Sequence, residues 1–107
     1  MKMIAEGHKV RITLSIDKEQ FLWLKKTQRH SPSKILRVAV NELMEKERNG
    51  DPITIKDRKT DGETVRISVT IEERQLLWLK KKQKYQPSRV LQIAIDSLMK
   101  MTNTGLL

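Results

Sequence analysis

The chain has 107 residues, with 22 Lys and Arg against 13 Asp and Glu and a formal net charge of +9. That length suits one ordinary domain and is too short for two independent ones, while the charge favours polyanions, nucleic acid first and an anionic membrane surface second. The absence of Cys excludes disulfides, thiolate metal sites and thiol nucleophiles.

In chain order, Met1–His8 has no apolar core and carries Glu6 early, which does not fit a signal peptide. No apolar run approaches the roughly 20 residues that span a bilayer. A soluble, cytoplasmic protein is the expectation. Val10-Arg11-Ile12-Thr13-Leu14-Ser15-Ile16 then alternates strictly between apolar and polar residues. A period of two predicts a half-buried strand, because successive side chains leave opposite faces of the backbone. Its apolar face carries Val10, Ile12, Leu14 and Ile16, and its polar face Arg11, Thr13 and Ser15.

Asp17 with Gln20 three residues on makes a capping-box pattern. It predicts a helix from Lys18 to about Arg29, with Phe21, Leu24 and Gln28 on one face and Leu22 and Trp23 widening it. For Trp23, packing at the core or its rim competes with a contact surface for another protomer. Arg29-His30-Ser31-Pro32-Ser33 predicts a turn. Ser31 caps a second helix that opens at Pro32, where a missing N–H costs nothing, and runs to about Glu47. Ile35, Leu36, Ala39, Val40, Leu43 and Met44 mark its buried side. Arg48-Asn49-Gly50-Asp51-Pro52 ends it, and a linker follows to Glu63 with a short strand expected at Ile53–Ile55.

The chain then repeats itself. A shift of 55 places Val10 on Val65, Trp23 on Trp78, Pro32 on Pro87 and Met44 on Met99, with 17 of 35 positions identical over 10–44 and 65–99 and no gap. The second strand is Val65–Ile71. Glu72 and Gln75, a weaker cap, open a helix from Glu73 to about Lys84, and the last helix runs from Pro87 to about Thr102. Its core residues are Val90, Leu91, Ala94, Ile95, Leu98 and Met99. Gln86 is a poor cap, so Ser88 is expected to share that role. One copy of about 45 residues cannot bury a core alone. The two are therefore expected to form one intertwined domain over 1–107. The first copy is 9–47, the linker 48–63 and the second copy 64–102, and the two strands pair beneath four helices.

No catalytic constellation is visible. The two histidines, His8 and His30, do not make a metal site, Glu42 and Glu45 read as a solvated helix face, and no Gly-rich phosphate loop occurs. The expectation is a protein that is not an enzyme and takes no cofactor, metal or small-molecule ligand. The polar strand faces are different. Antiparallel pairing would set Thr13 against Ser68, Arg11 against Thr70 and Ser15 against Arg66, so that no two cations oppose each other. A two-stranded ribbon fits the major groove of B-form DNA, where Arg grips guanine O6 and N7 and Thr or Ser reaches base edges or the thymine methyl. The competing account is an idle solvated strand face. Ser33 with Lys34 and Ser88 with Arg89 stand at helix N-termini, whose unpaired donors suit a phosphate. Lys9, Lys25, Lys26, Lys80 and Lys81 add flanking charge, more simply read as a solvated face.

These residues resemble the ribbon-helix-helix (MetJ/Arc/CopG-type) family of DNA-binding regulators. The likeness is carried by Val10–Ile16 leading into an Asp-capped helix and by Ser31-Pro32-Ser33-Lys34-Ile35-Leu36-Arg37-Val38-Ala39-Val40, and it recurs at Val65–Ile71 and Gln86–Ile95. In its two-copy form the chain is similar to the tandem, AvtR-like regulators of archaeal viruses, which would place it in a host cytoplasm. It departs from the family at Pro32, Pro87 and Gln86. The resemblance implies a mainly helical fold around a two-stranded antiparallel ribbon, a single-chain pseudo-dimer. It implies base readout by Arg11, Thr13, Ser15, Arg66, Ser68 and Thr70 and phosphate binding by Ser33, Lys34, Ser88 and Arg89. The partners are double-stranded DNA and further copies of the chain on it, and no membrane. An antitoxin that represses its own operon and a non-specific DNA-coating protein are the alternatives.

Overall fold

The computed structural model describes residues 8–27, 30–53, 62–82 and 86–103. Six elements follow in order: strand β1 (Lys9–Asp17), helix α1 (Lys18–Thr27), helix α2 (Pro32–Asn49), strand β2 (Thr64–Glu72), helix α3 (Glu73–Lys82) and helix α4 (Pro87–Asn103). The molecule is mainly helical, with one two-stranded antiparallel sheet. The register sets Thr13 opposite Ser68, Arg11 opposite Thr70 and Ser15 opposite Arg66, as the alternation predicts. Each strand is one residue longer at both ends than its heptapeptide.

The apolar face of the ribbon is the floor of the core. Leu14 and Ile16 of β1 and Val69 and Ile71 of β2 are buried, together with Leu24, Leu79, Ile35, Leu36, Val40, Val90, Leu91 and Ile95 from the four helices. Ala39, Leu43 and Met44, and their counterparts Ala94, Leu98 and Met99, pack against this cluster while partly exposed. The buried strand residues lie toward the C-terminal end of each strand, next to the start of the helix that follows it.

Helix boundaries follow local chemistry. Ser31 adopts an extended conformation and its hydroxyl accepts from the Lys34 N–H, with Pro32 at the first helical position. At the other end Gly50 sits at φ 77°, and the Gly50 and Asp51 N–H groups donate to Glu47 O and Lys46 O at 3.1 and 2.8 Å. That left-handed turn closes the open carbonyls of the last helical turn and favours a residue without Cβ. The helix thus runs two residues past Glu47. Helices α1 and α3 are described to Thr27 and Lys82; Gln28, Arg29, Gln83, Lys84 and Tyr85 lie outside the described residues. Ile53 belongs to no regular element. The rest of the strand expected at Ile53–Ile55 and the segment Met1–Gly7 lie outside the described residues as well.

Among the described residues several contacts are written twice, 55 residues apart. The side-chain oxygen Oε1 of Gln20 accepts from the Asp17 N–H at 3.1 Å, and that of Gln75 from the Glu72 N–H at 3.2 Å. The weaker capping pattern of the second copy therefore forms the same bond as the first. The two amide nitrogens then reach across the molecule. Gln20 donates to Gln92 O (2.9 Å) and Asp96 Oδ1 (2.8 Å) on α4, and Gln75 to Arg37 O (2.9 Å) and Asn41 Oδ1 (2.8 Å) on α2. Both glutamines are essentially fully buried. A buried amide with its oxygen and both N–H groups paired fixes the element it touches. Each strand-to-helix corner is thus pinned to the second helix of the other copy. The Lys18 N–H donates to Glu63 O at 3.0 Å and the Glu73 N–H to His8 O at 2.9 Å, which closes both ends of the ribbon alike.

Candidate nucleic-acid interface

A two-stranded ribbon has two open edges whose outward N–H and C=O groups need partners. On the β2 edge the Thr70 N–H donates to Ser33 Oγ at 2.9 Å, and Thr70 O accepts from Arg37 Nη1 at 3.2 Å. On the β1 edge the Ser15 N–H donates to Ser88 Oγ at 3.2 Å, and Ser15 O accepts from Gln92 Nε2 at 2.8 Å. The first turns of α2 and α4 are thereby seated one on each edge. Ser88 does not share the capping of α4 as expected. It is the second residue of the helix, the counterpart of Ser33, and its hydroxyl accepts from the Ser15 N–H of the strand instead.

The helices cover the apolar side and leave the other side open. Arg11, Thr13, Arg66 and Ser68 are exposed, and Ser15 and Thr70 half-buried. Arg11 and Arg66 sit diagonally, two same-face pairs apart, hence about 14 Å along the ribbon at roughly 3.4 Å per residue. No acidic residue lies between them. Beyond them the same face carries Lys9 beside Glu72 at one end and Asp17 beside Thr64 at the other. Glu72 is neutralised by Arg74 at 2.7 Å. Between these acidic ends lies a narrow surface of cations and hydroxyls, flanked by two helix N-termini with their partial positive charge.

Of the expected phosphate residues, Ser33 and Ser88 hold the ribbon edges, and an accepting hydroxyl keeps its own hydrogen for a further acceptor. Lys34 is exposed and Arg89 half-buried, each in the first turn of its helix. Lys25 and Lys26, and Lys80 and Lys81, are exposed in the last turns of α1 and α3, roughly 10 Å along the helix axis from its start. Lys25 also lies over the Phe21 ring at 5.4 Å.

Trp23 and Trp78 pack at the rim of the core. Trp23 stacks on His30 with centroids 5.9 Å apart, and Trp78 Nε1 donates to Glu47 Oε1 at 2.8 Å. Lys82 pairs with the same Glu47 and lies over the Trp78 ring at 5.8 Å. Leu22 and Leu77 are large apolar residues of α1 and α3 left outside, 53% and 58% exposed.

Residues that pattern alone did not single out are Arg37 and Gln92 as edge partners and Asn41 and Asp96 as amide acceptors. The repeat shows these positions as polar in both copies, Arg37 with Gln92 and Asn41 with Asp96, but not what they bond. Among the described residues no three His, Asp or Glu side chains come together to hold a metal ion, and no described helix is long and apolar enough to cross a membrane. No family model, no curated protein and no solved structure matches the chain.

Proposed function

We propose that the chain is a tandem ribbon-helix-helix protein, a single-chain pseudo-dimer in one intertwined domain. In this reading it is a transcriptional regulator that binds double-stranded DNA sequence-specifically by laying its ribbon in the major groove. The observation that carries the proposal is the register. It arrays Arg11, Thr13, Ser15, Arg66, Ser68 and Thr70 on one open face, with a helix N-terminus seated on each edge. Arg11 and Arg66 take guanine O6 and N7, and the hydroxyls and methyls between them take neighbouring base edges. Lys34, Arg89 and the helix starts hold the phosphates that flank the groove.

A face of about 14 Å spans roughly four base pairs at 3.4 Å each. That is too little sequence for a useful specificity ratio, so several molecules bind side by side, with the exposed Leu22 and Leu77 as the apolar contact between them.

Selection from random duplex DNA tests the proposal, followed by dimethyl sulfate footprinting of the selected site. The expected result is a guanine-containing consensus whose guanine N7, in the major groove, is protected while adenine N3, in the minor groove, is not. Equal affinity for all duplexes at moderate salt would favour a coating protein instead. Lack of any affinity at low salt would remove DNA from the account.

A further inference from the structure

The two edges of the ribbon are alike in backbone and unlike in side chains. On the β2 edge Arg37 Nη1 donates to Thr70 Oγ1 at 3.0 Å as well as to the Thr70 carbonyl. On the β1 edge the equivalent residue is Gln92, which donates to the Ser15 carbonyl; the Ser15 hydroxyl has no partner among the described residues. The β2 edge therefore offers a threonine whose oxygen is turned to a guanidinium, with a methyl group remaining. The β1 edge offers an unengaged serine hydroxyl. The guanidinium has donors to spare: Arg37 Nε and Nη2 make no hydrogen bond among the described residues. The surroundings lean the same way. Arg74 and Asn41, which meet at 3.4 Å beside the β2 edge, correspond to Glu19 and Asp96 in the other copy, while Lys18 and Glu73 run in the opposite sense.

Resting on the proposed DNA reading, we infer that Arg37 makes recognition directional: the chain binds a non-palindromic site in one orientation. Arg37 holds one phosphate on the β2 flank and fixes Thr70 so that this half of the ribbon takes a thymine methyl. The half around Ser15 takes a hydrogen-bonding base edge. Arg37 is a positioning residue for Thr70 and a phosphate contact in its own right.

The test uses the full chain and the two half-sites, L and R, found by selection from random DNA. Three duplexes are compared, L–R, L–L and R–R. The expected result is that the wild type prefers L–R about tenfold, the effect of one mismatched position. In Arg37→Gln, which writes the residue of the other copy, that preference falls below about twofold and the salt slope drops by about one unit. A palindromic consensus, or a preference and slope unchanged in Arg37→Gln, overturns the inference and leaves the proposed function standing. Failure to select any sequence overturns the proposed function itself. Arg37→Lys keeps the charge without the fork geometry and is expected to restore the salt slope but not the preference. Restoration of both by Lys would overturn the positioning of Thr70.

Discussion

Gln20 offers the sharpest test of how the fold is held. It is 1% exposed; its oxygen takes the Asp17 N–H and its nitrogen bridges to Gln92 O and Asp96 Oδ1. Gln20→Leu keeps most of the side-chain volume, so the cavity term is small, and removes all three bonds. Asp96 is exposed and its carboxylate regains water. The Gln92 carbonyl, inside a helix, keeps its own helical donor. The loss falls on the Asp17 N–H, left without its partner at a part-buried corner, and on the two ties to α4. An orphaned buried donor costs about 1–3 kcal/mol and each lost net bond about 1 kcal/mol. Burial of the more apolar leucine offsets part of this, giving a net destabilisation of about 2 kcal/mol. For a domain of this size that is a drop in Tm of about 8–16 °C. Urea unfolding followed by circular dichroism gives the free energy directly. A double-mutant cycle with Asp96→Ala should return about 1 kcal/mol of coupling. If Gln20→Leu unfolds within about 0.5 kcal/mol of the wild type, the buried amide does not tie the corner to α4.

Two further outcomes follow from the same contacts. Ser33→Ala and Ser88→Ala each strip the acceptor from one ribbon edge and should cost about 1 kcal/mol in urea unfolding. They should act additively, since the two edges share no partner, and a cost below about 0.3 kcal/mol for both would mean that water serves the edges equally well. Both strands of the ribbon belong to one chain, so without DNA the unfolding midpoint should not move over a hundredfold range of protein concentration. A midpoint that rises with concentration would show that folding requires a second molecule.

Most of the architecture was legible because the chain states it twice. The period of two in Val10–Ile16, set beside Val65–Ile71 and paired antiparallel about a two-fold axis, leads to the observed register, in which the apolar faces coincide and like charges avoid direct opposition. Ser31-Pro32 and Gly50 marked the boundaries of α2 through caps that work locally. What was not legible was which second helix lies on which strand edge. That choice rests on contacts more than 30 residues apart, Ser33 to Thr70 and Ser88 to Ser15, and no local pattern encodes them. The same holds for Gln20 and Gln75. Their capping role is visible three residues away, while their second bonds depend on the packing of α4 and α2. Ser33 and Ser88 show how one residue type at a helix start suits a phosphate and a strand amide equally, and only tertiary structure reveals that the amide is taken. The difference between Arg37 and Gln92 is plain in the alignment of the two copies. It acquires meaning only because both side chains end on the ribbon.

In the proposed function the open face of the ribbon is the reader of base sequence. The most direct measurement is the affinity of Arg11→Ala/Arg66→Ala for the selected duplex and for a scrambled one at the same salt. Each lost bidentate grip on guanine is worth about 1–3 kcal/mol of discrimination. The double variant should therefore bind both duplexes equally while keeping weak, salt-sensitive binding through the remaining cations. A double variant that still prefers the selected duplex by the wild-type ratio would show that the sequence is read elsewhere on the molecule.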